Sequence, residues 1–365
     1  MNTKRFEVLD SFRGLCAVAV AVAHMRILGL YPVESLAKFD FVKNSWLFVE
    51  FFFVLSGFVL AHSYGFKQNF DFRKFFLARS FRLIPLHIFT LLLFVFGDIV
   101  KLLLGKYGVS FASPPFTDHN AVSELLPNIF LLQAWSNYTD AYSFNSPSWS
   151  ISIEYYVCIV FMITLFFKAG FKQLVWLMIA ITMFLALYTN FTILTSNSIR
   201  GLSCFFFGAF INYLYRCICD KIPINFYLFS IVEILALCCV VYVVSVGSSV
   251  FEQLLIVAGL TFGLVILLFS FEGGVVSIFF KLKLFPYLGS LSYSIYLMHW
   301  VVISTIIYVF RFPMPVTAGS MLKDNVLLVT VLGMVIICSH FTYKLVELKY
   351  ISQGKLLIKN LRLEK

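Results

Sequence analysis

About ten apolar runs, each near the length a helix needs to cross a bilayer, dictate what this chain can fold into. They lie near 12–30, 47–64, 84–104, 149–167, 173–194, 200–215, 226–246, 251–271, 287–310 and 326–343. A hydrocarbon core of about 30 Å takes about 20 helical residues. Inside it every backbone polar group must find its partner within the protein, which a helix does unaided. The expected fold is therefore all-α, a polytopic transmembrane helix bundle of about ten spans. The composition agrees: 61% of the 365 residues are hydrophobic and 13% charged, against roughly a quarter charged in soluble domains. The cysteines lie almost all inside the apolar runs and show no paired ligand spacing, so neither a metal site nor a disulfide framework is expected.

An even number of spans places both termini on one side. Lys4, Arg5, Lys67, Arg73, Lys74, Arg79, Arg82, Lys168, Lys172, Arg216, Lys221, Lys281, Lys283 and the basic tail to Lys365 fall on that side. Lys38, Lys43, Lys106, Arg200, Arg311 and Lys323 fall on the other. A ratio of roughly three to one predicts cytoplasmic termini by the positive-inside rule. The net charge of +10 is thus a topology signal, with membrane lipid and not nucleic acid as the expected partner. Lys4, Arg5 and Ala21-Val22-Ala23 imitate a signal peptide. Asp10 and Arg13 at the mouth of that stretch, and the spans that follow, argue against cleavage. The longest connection, about 105–147, is expected outside the cytoplasm and reads equally as a covering loop or an acceptor-binding lid. With no internal repeat or linker, residues 1–365 are expected to form a single transmembrane domain with no additional soluble domain.

Ionisable side chains at bilayer depth cost about 2.5–3.5 kcal/mol each on insertion scales, so each needs a partner or a task. The first run carries Asp10, Arg13 and His24. Arg13 and His24 share a helix face, about 16 Å apart along the axis. A small-residue side (Gly14, Cys16, Ala17, Ala19, Ala21, Ala23) permits close helix packing. Glu50, Glu154 and Arg200 lie at similar depth in three other runs, and Ser292, Tyr296 and His299 form an i, i+4, i+7 stripe in the ninth. Singly, each fits a packing hydrogen bond, and His24 alone fits a structural histidine as well as a functional one. Converging, carboxylate and imidazole are the groups of general-base chemistry on a hydroxyl. Arg79 and Arg82, just ahead of Pro85, suit either a phosphorylated donor or anionic lipid headgroups, and the residues alone favour the lipid.

In this order the segments resemble the acyltransferase 3 family of membrane acyltransferases. Leu9-Asp10-Ser11-Phe12-Arg13-Gly14-Leu15 running to His24 is similar to its Arg-x10-His signature. Val49 to Phe58, Arg79 to Pro85, Ser148 to Glu154 and Leu288 to His299 carry the rest, with weaker echoes at Arg200, Gly208 and Tyr343 to Glu347. The chain departs from the pattern at Phe48, where glycine is frequent, at Tyr155, where a second acid is frequent, and at His87, where an aromatic is common.

The resemblance implies transfer of an acyl group, usually acetyl, from cytoplasmic acyl-CoA to a hydroxyl of a surface or lipid-linked carbohydrate such as O-antigen or exopolysaccharide, in a bacterial inner membrane. On that reading Arg13, Arg79 and Arg82 hold the donor phosphates at the inner mouth. His24 is general base or transient acyl acceptor, oriented by Glu50 or Glu154. Asp10, Trp149, Arg200, Tyr293, Tyr296 and His299 line the substrate cavity. Acetyl-CoA is the expected donor, and no metal is expected. A transporter or flippase for a lipid-linked sugar or small metabolite is the competing class, because intramembrane charges also line transport paths. The absence of repeat symmetry and paired broken helices speaks against it. Acceptor sugar, acyl length and oligomeric state stay open.

Overall fold

The computed structural model describes residues 5–28, 40–67, 70–111, 113–189, 193–246, 251–310 and 321–363. Lys4, Lys38, Arg311 and Lys365 of the charge pattern lie outside these. Each apolar run coincides with a helix: α1 (Glu7–His24), α2 (Phe48–Tyr64), α3 (Phe72–Gly105), α4 (Trp149–Thr164), α5 (Phe171–Ala186), α6 (Ser196–Ile218), α7 (Phe226–Ser245), α8 (Phe251–Phe269), α9 (Leu284–Phe310) and α10 (Met321–Thr342). A π-helical turn, Tyr343–Glu347, leads into α11 (Leu348–Leu363). Among the described residues there is no strand. Of the described helices, 7 are long and apolar enough to cross a membrane, and Phe171–Ala186 and Gln253–Phe269 are apolar but shorter. The protein is an integral membrane helix bundle.

The starts of α1 and α3 differ from the apolar runs for one physical reason. Hydropathy marks where a helix is oily, whereas hydrogen bonding decides where it begins. Thus α1 begins at Glu7 and takes Asp10 and Arg13 inside the helix. Likewise α3 begins at Phe72 and runs 34 residues through Pro85, so Arg79 and Arg82 are helical residues. A proline is tolerated within a membrane helix where neighbours compensate the lost hydrogen bond.

The chain forms two compact units. The first comprises Met1–Ala23, Ala37–Asp71 and Val157–Ser292. Within it α2 lies along α6: Gly57 faces the Phe205 carbonyl and Gly208 faces the Val54 carbonyl, each so close that any side chain would push the helices apart. A second crossing joins α1 to the start of α9, where a β-carbon on Gly14 would sit 2.5 Å from the Gly289 nitrogen. Small residues here do what they do in membrane helices generally, letting backbones touch.

The second unit comprises His24–Leu36, Phe72–Tyr156 and Tyr293–Lys365. Its long connection folds onto the helices through buried polar side chains. Asn128 Nδ2 donates to the Glu124 carbonyl (2.9 Å) and to Ser143 Oγ (2.7 Å). His87 Nε2 donates to the Asn128 carbonyl at 2.8 Å. Asn145 Nδ2 donates to Thr90 Oγ1 (3.0 Å) and the Leu297 carbonyl (3.2 Å), tying the connection to α3 and α9. His87, one of the departures from the family pattern, thereby fastens this connection. In the same unit α11 packs on α3, with Gly354 against Phe81. The π turn places Glu347 where its Oε2 accepts from Ser294 Oγ at 3.0 Å.

Candidate active site

The second unit brings two imidazoles into ring contact. His24 ends α1, and its ring centroid lies 5.1 Å from that of His299, tilted by 38°. Trp300 meets His24 edge-on at 5.5 Å. His299 is fully buried, with Nδ1 3.1 Å from the Ile295 carbonyl one turn back on α9. A carbonyl only accepts, so the network assigns the proton to Nδ1 and leaves a lone pair on Nε2. That Nε2 has no hydrogen-bond partner among the described residues. Tyr296 lies 5.9 Å from the His299 ring, and its hydroxyl accepts from Ser150 Oγ at 2.9 Å.

About 9 Å back along α9, by helical rise, lies a second polar group. Here the Tyr293 hydroxyl donates to the Leu83 carbonyl at 2.6 Å. Glu347, Glu154 and Arg82 all lie within electrostatic range of it. Buried Trp149 opens α4, and half-buried Glu154 follows five residues later. Arg79 and Arg82 stand one turn apart on α3, half-buried. Among the described residues neither makes a hydrogen bond or an ion pair.

The first unit holds the other expected residues, and there they bind one another. Glu50 Oε1 accepts from Arg200 Nε and Nη2, both at 2.6 Å, with the side chains 0% and 6% exposed. Arg200 Nη1 donates to Asn197 Oδ1 at 3.2 Å, and the guanidinium lies 5.4 Å over the Trp46 ring. Glu50 Oε2 has no hydrogen-bond partner among the described residues. Arg13 Nε donates to Ser292 Oγ (2.8 Å) and Nη2 to the Gly289 carbonyl (3.0 Å). Its Nη1 lies 3.7 Å from Asp10, whose other oxygen takes Arg5 Nε at 2.9 Å. Arg13 therefore reinforces the crossing that Gly14 and Gly289 make possible.

Eight of the expected residues thus gather in one unit: His24, Arg79, Arg82, Trp149, Glu154, Tyr293, Tyr296 and His299. Asp10, Arg13, Glu50 and Arg200 belong to the other. Sequence reasoning did not single out Ser150, Trp300 or Glu347. Their signals were faint: each adjoins or ends a motif without ionisable company of its own. Among the described residues no three His, Cys, Asp or Glu side chains gather as a metal ion needs.

Comparison with known proteins decides the family. The sequence profile of the acyltransferase domain, acyltransferase 3, matches residues 6–343. The chain belongs to the acyltransferase 3 family. Among relatives of this acyltransferase 3 chain is acyltransferase MdmB of Streptomyces mycarofaciens, 30% identical over 154 residues, 41% of this chain and 37% of that protein. Protein 2 in the picA locus of Rhizobium radiobacter is 38% identical over 106 residues, 28% of this chain and 50% of that one. The putative peptidoglycan O-acetyltransferase YrhL of Bacillus subtilis (strain 168) is 27% identical over 161 residues, 40% of this chain and 21% of that one. The matches thus cover half or less of those relatives' lengths. No solved structure matches the chain.

Proposed function

We propose that this acyltransferase 3 protein transfers an acyl group, acetyl in the first instance, from cytoplasmic acyl-CoA to a hydroxyl of a surface or lipid-linked carbohydrate, in a bacterial inner membrane. The observation that carries the reading is the contact between half-buried His24 and buried His299, with a lone pair on His299 Nε2 that has no partner among the described residues. A neutral imidazole offers that lone pair as a hydrogen-bond acceptor, and imidazole is the common general base for a hydroxyl. His24 takes the acceptor hydroxyl's proton as that oxygen attacks the thioester carbonyl. The carbon–sulfur bond breaks, and the proton passes to the departing thiolate, giving the ester and free CoA. His299 orients the acceptor or His24 through Nε2. Arg79 and Arg82, half-buried and without an ion pair among the described residues, are the groups for the donor's phosphates. Glu154 and Tyr293 shape the space beside Arg82. Arg13 is a positioning residue that holds α1, and Glu50 with Arg200 holds α2 to α6.

The test is base-labile acetate on surface polysaccharide from cells expressing the parent chain, beside cells expressing His24→Ala at equal membrane level. Acetate with the parent and none with the variant is the expected result. Polysaccharide transport without acyl-CoA consumption by the parent would instead establish the transporter class.

A further inference from the structure

A shallow cleft of about 50 Å³ opens in the second unit between α3, α9 and the long connection. Its polar lining is Asp98, Asn120, Ser304, Thr305 and Tyr308. Val301, Ser304, Thr305 and Tyr308 follow i, i+3, i+4, i+7 spacing, so one face of α9 forms a whole wall. Asp98, which lines the cleft, and Lys101 are 2% and 4% exposed and joined at 2.7 Å, so the one lining charge is balanced by its buried partner. Lys101 Nζ also sits 4.0 Å over the Tyr308 ring, and Asn120 Nδ2 donates to Asp98 Oδ2 at 2.8 Å. These contacts fix Asn120 and Tyr308 in place. Among the described residues the Ser304 and Tyr308 hydroxyls and Asn120 Oδ1 have no hydrogen-bond partner.

The cleft lies near the imidazole pair, one layer of packed side chains away. Phe94 and Val301 line it, and Trp300 packs against the same Phe94 cluster while touching His24. Ser304 lies about 7.5 Å along α9 from His299, by helical rise. An uncharged site with neutral donors and acceptors and apolar walls does not suit a phosphate or a cation. It suits a polyhydroxyl edge. We propose that this cleft is the subsite for a neutral sugar edge of the acceptor, holding it while the reacting hydroxyl reaches His24. The proposal rests on the acyl-transfer reading and adds where the acceptor binds.

The experiment titrates the protein in nanodiscs with chemically deacylated surface polysaccharide of the source cells and, separately, with acetyl-CoA. Ser304→Trp fills the cleft, while Asn120→Ala and Tyr308→Phe remove single hydrogen-bonding groups. Ser304→Trp is expected to weaken polysaccharide binding at least about tenfold, and each trimmed variant about two- to tenfold, as befits one neutral hydrogen bond. Acetyl-CoA binding stays at the parent value. Lost acetyl-CoA binding in Ser304→Trp marks misfolding, and the two trimmed variants then decide. Parent-like polysaccharide binding in the correctly folded variants overturns the cleft assignment and leaves acyl transfer standing. A parent that binds acetyl-CoA but no polysaccharide overturns the carbohydrate reading, and the cleft with it.

Discussion

In the unit containing α2 and α6, Arg200 is joined to Glu50, Asn197 and Trp46, and Arg13 to Ser292, Gly289 and Asp10. In the unit containing α3, Arg79 and Arg82 are half-buried with no ion pair among the described residues, and His299 keeps a lone pair with no partner. Both sets sit in apolar helices, where an unsupported charge is costly. The first set meets most of that cost with protein partners, Glu50 Oε2 being the exception among the described residues. The second set does not, and on the proposed function a bound substrate is the partner that completes it. Residue type separates nothing here, since arginines occur in both. What separates them is whether hydrogen-bonding capacity is already engaged.

The largest expected effect falls on the imidazoles. His24→Ala should lower the rate of acyl transfer about 10²- to 10⁴-fold, the range for loss of a general base, with melting temperature in nanodiscs little changed. A rate within tenfold of the parent would remove His24 from the chemistry. Next comes the engaged ion pair. Arg200→Ala leaves Glu50 buried and unpaired and should cost about 3–5 kcal/mol of stability, read as lost membrane abundance and early melting. The double variant Arg200→Met with Glu50→Leu should recover much of that loss. If the double melts no higher than the single, the pair does more than hold helices together. The smallest effect concerns the glycine crossing. Gly14→Ala should cost about 1–3 kcal/mol by overpacking against Gly289, with the surviving protein retaining its donor KM.

Among the described residues, the apolar runs made α1 to α10 legible in the sequence, because burial in lipid leaves an unbroken signal, and left out the polar α11. Their ends were less legible. Arg73, Lys74, Arg79 and Arg82 lower the hydropathy of a stretch that is nevertheless helical, so α3 reads short by twelve residues. The candidate site residues were legible as types: His24, His299 and Arg82 stood out by themselves, and Tyr293 entered with the family resemblance. Their partnerships were not. Glu50 and Arg200 are 150 residues apart, and nothing local says that they pair and not that Glu50 serves His24. The fold of the long connection was also hidden. It depends on single hydrogen bonds from Asn128, Asn145 and His87, which carry no periodicity. Pairing is a tertiary fact, and a single sequence supplies only the candidates.

The most direct measurement sets Arg82→Ala beside Arg13→Ala in nanodiscs, recording melting temperature and acetyl-CoA KM for each. Arg82→Ala should raise the donor KM about 10- to 100-fold, the loss of one charge-assisted hydrogen bond, at unchanged melting temperature. Arg13→Ala should melt earlier, with the donor KM of the folded fraction near the parent value. The opposite pattern, a donor defect in Arg13→Ala and a melting defect in Arg82→Ala, would contradict the division between engaged and unengaged groups.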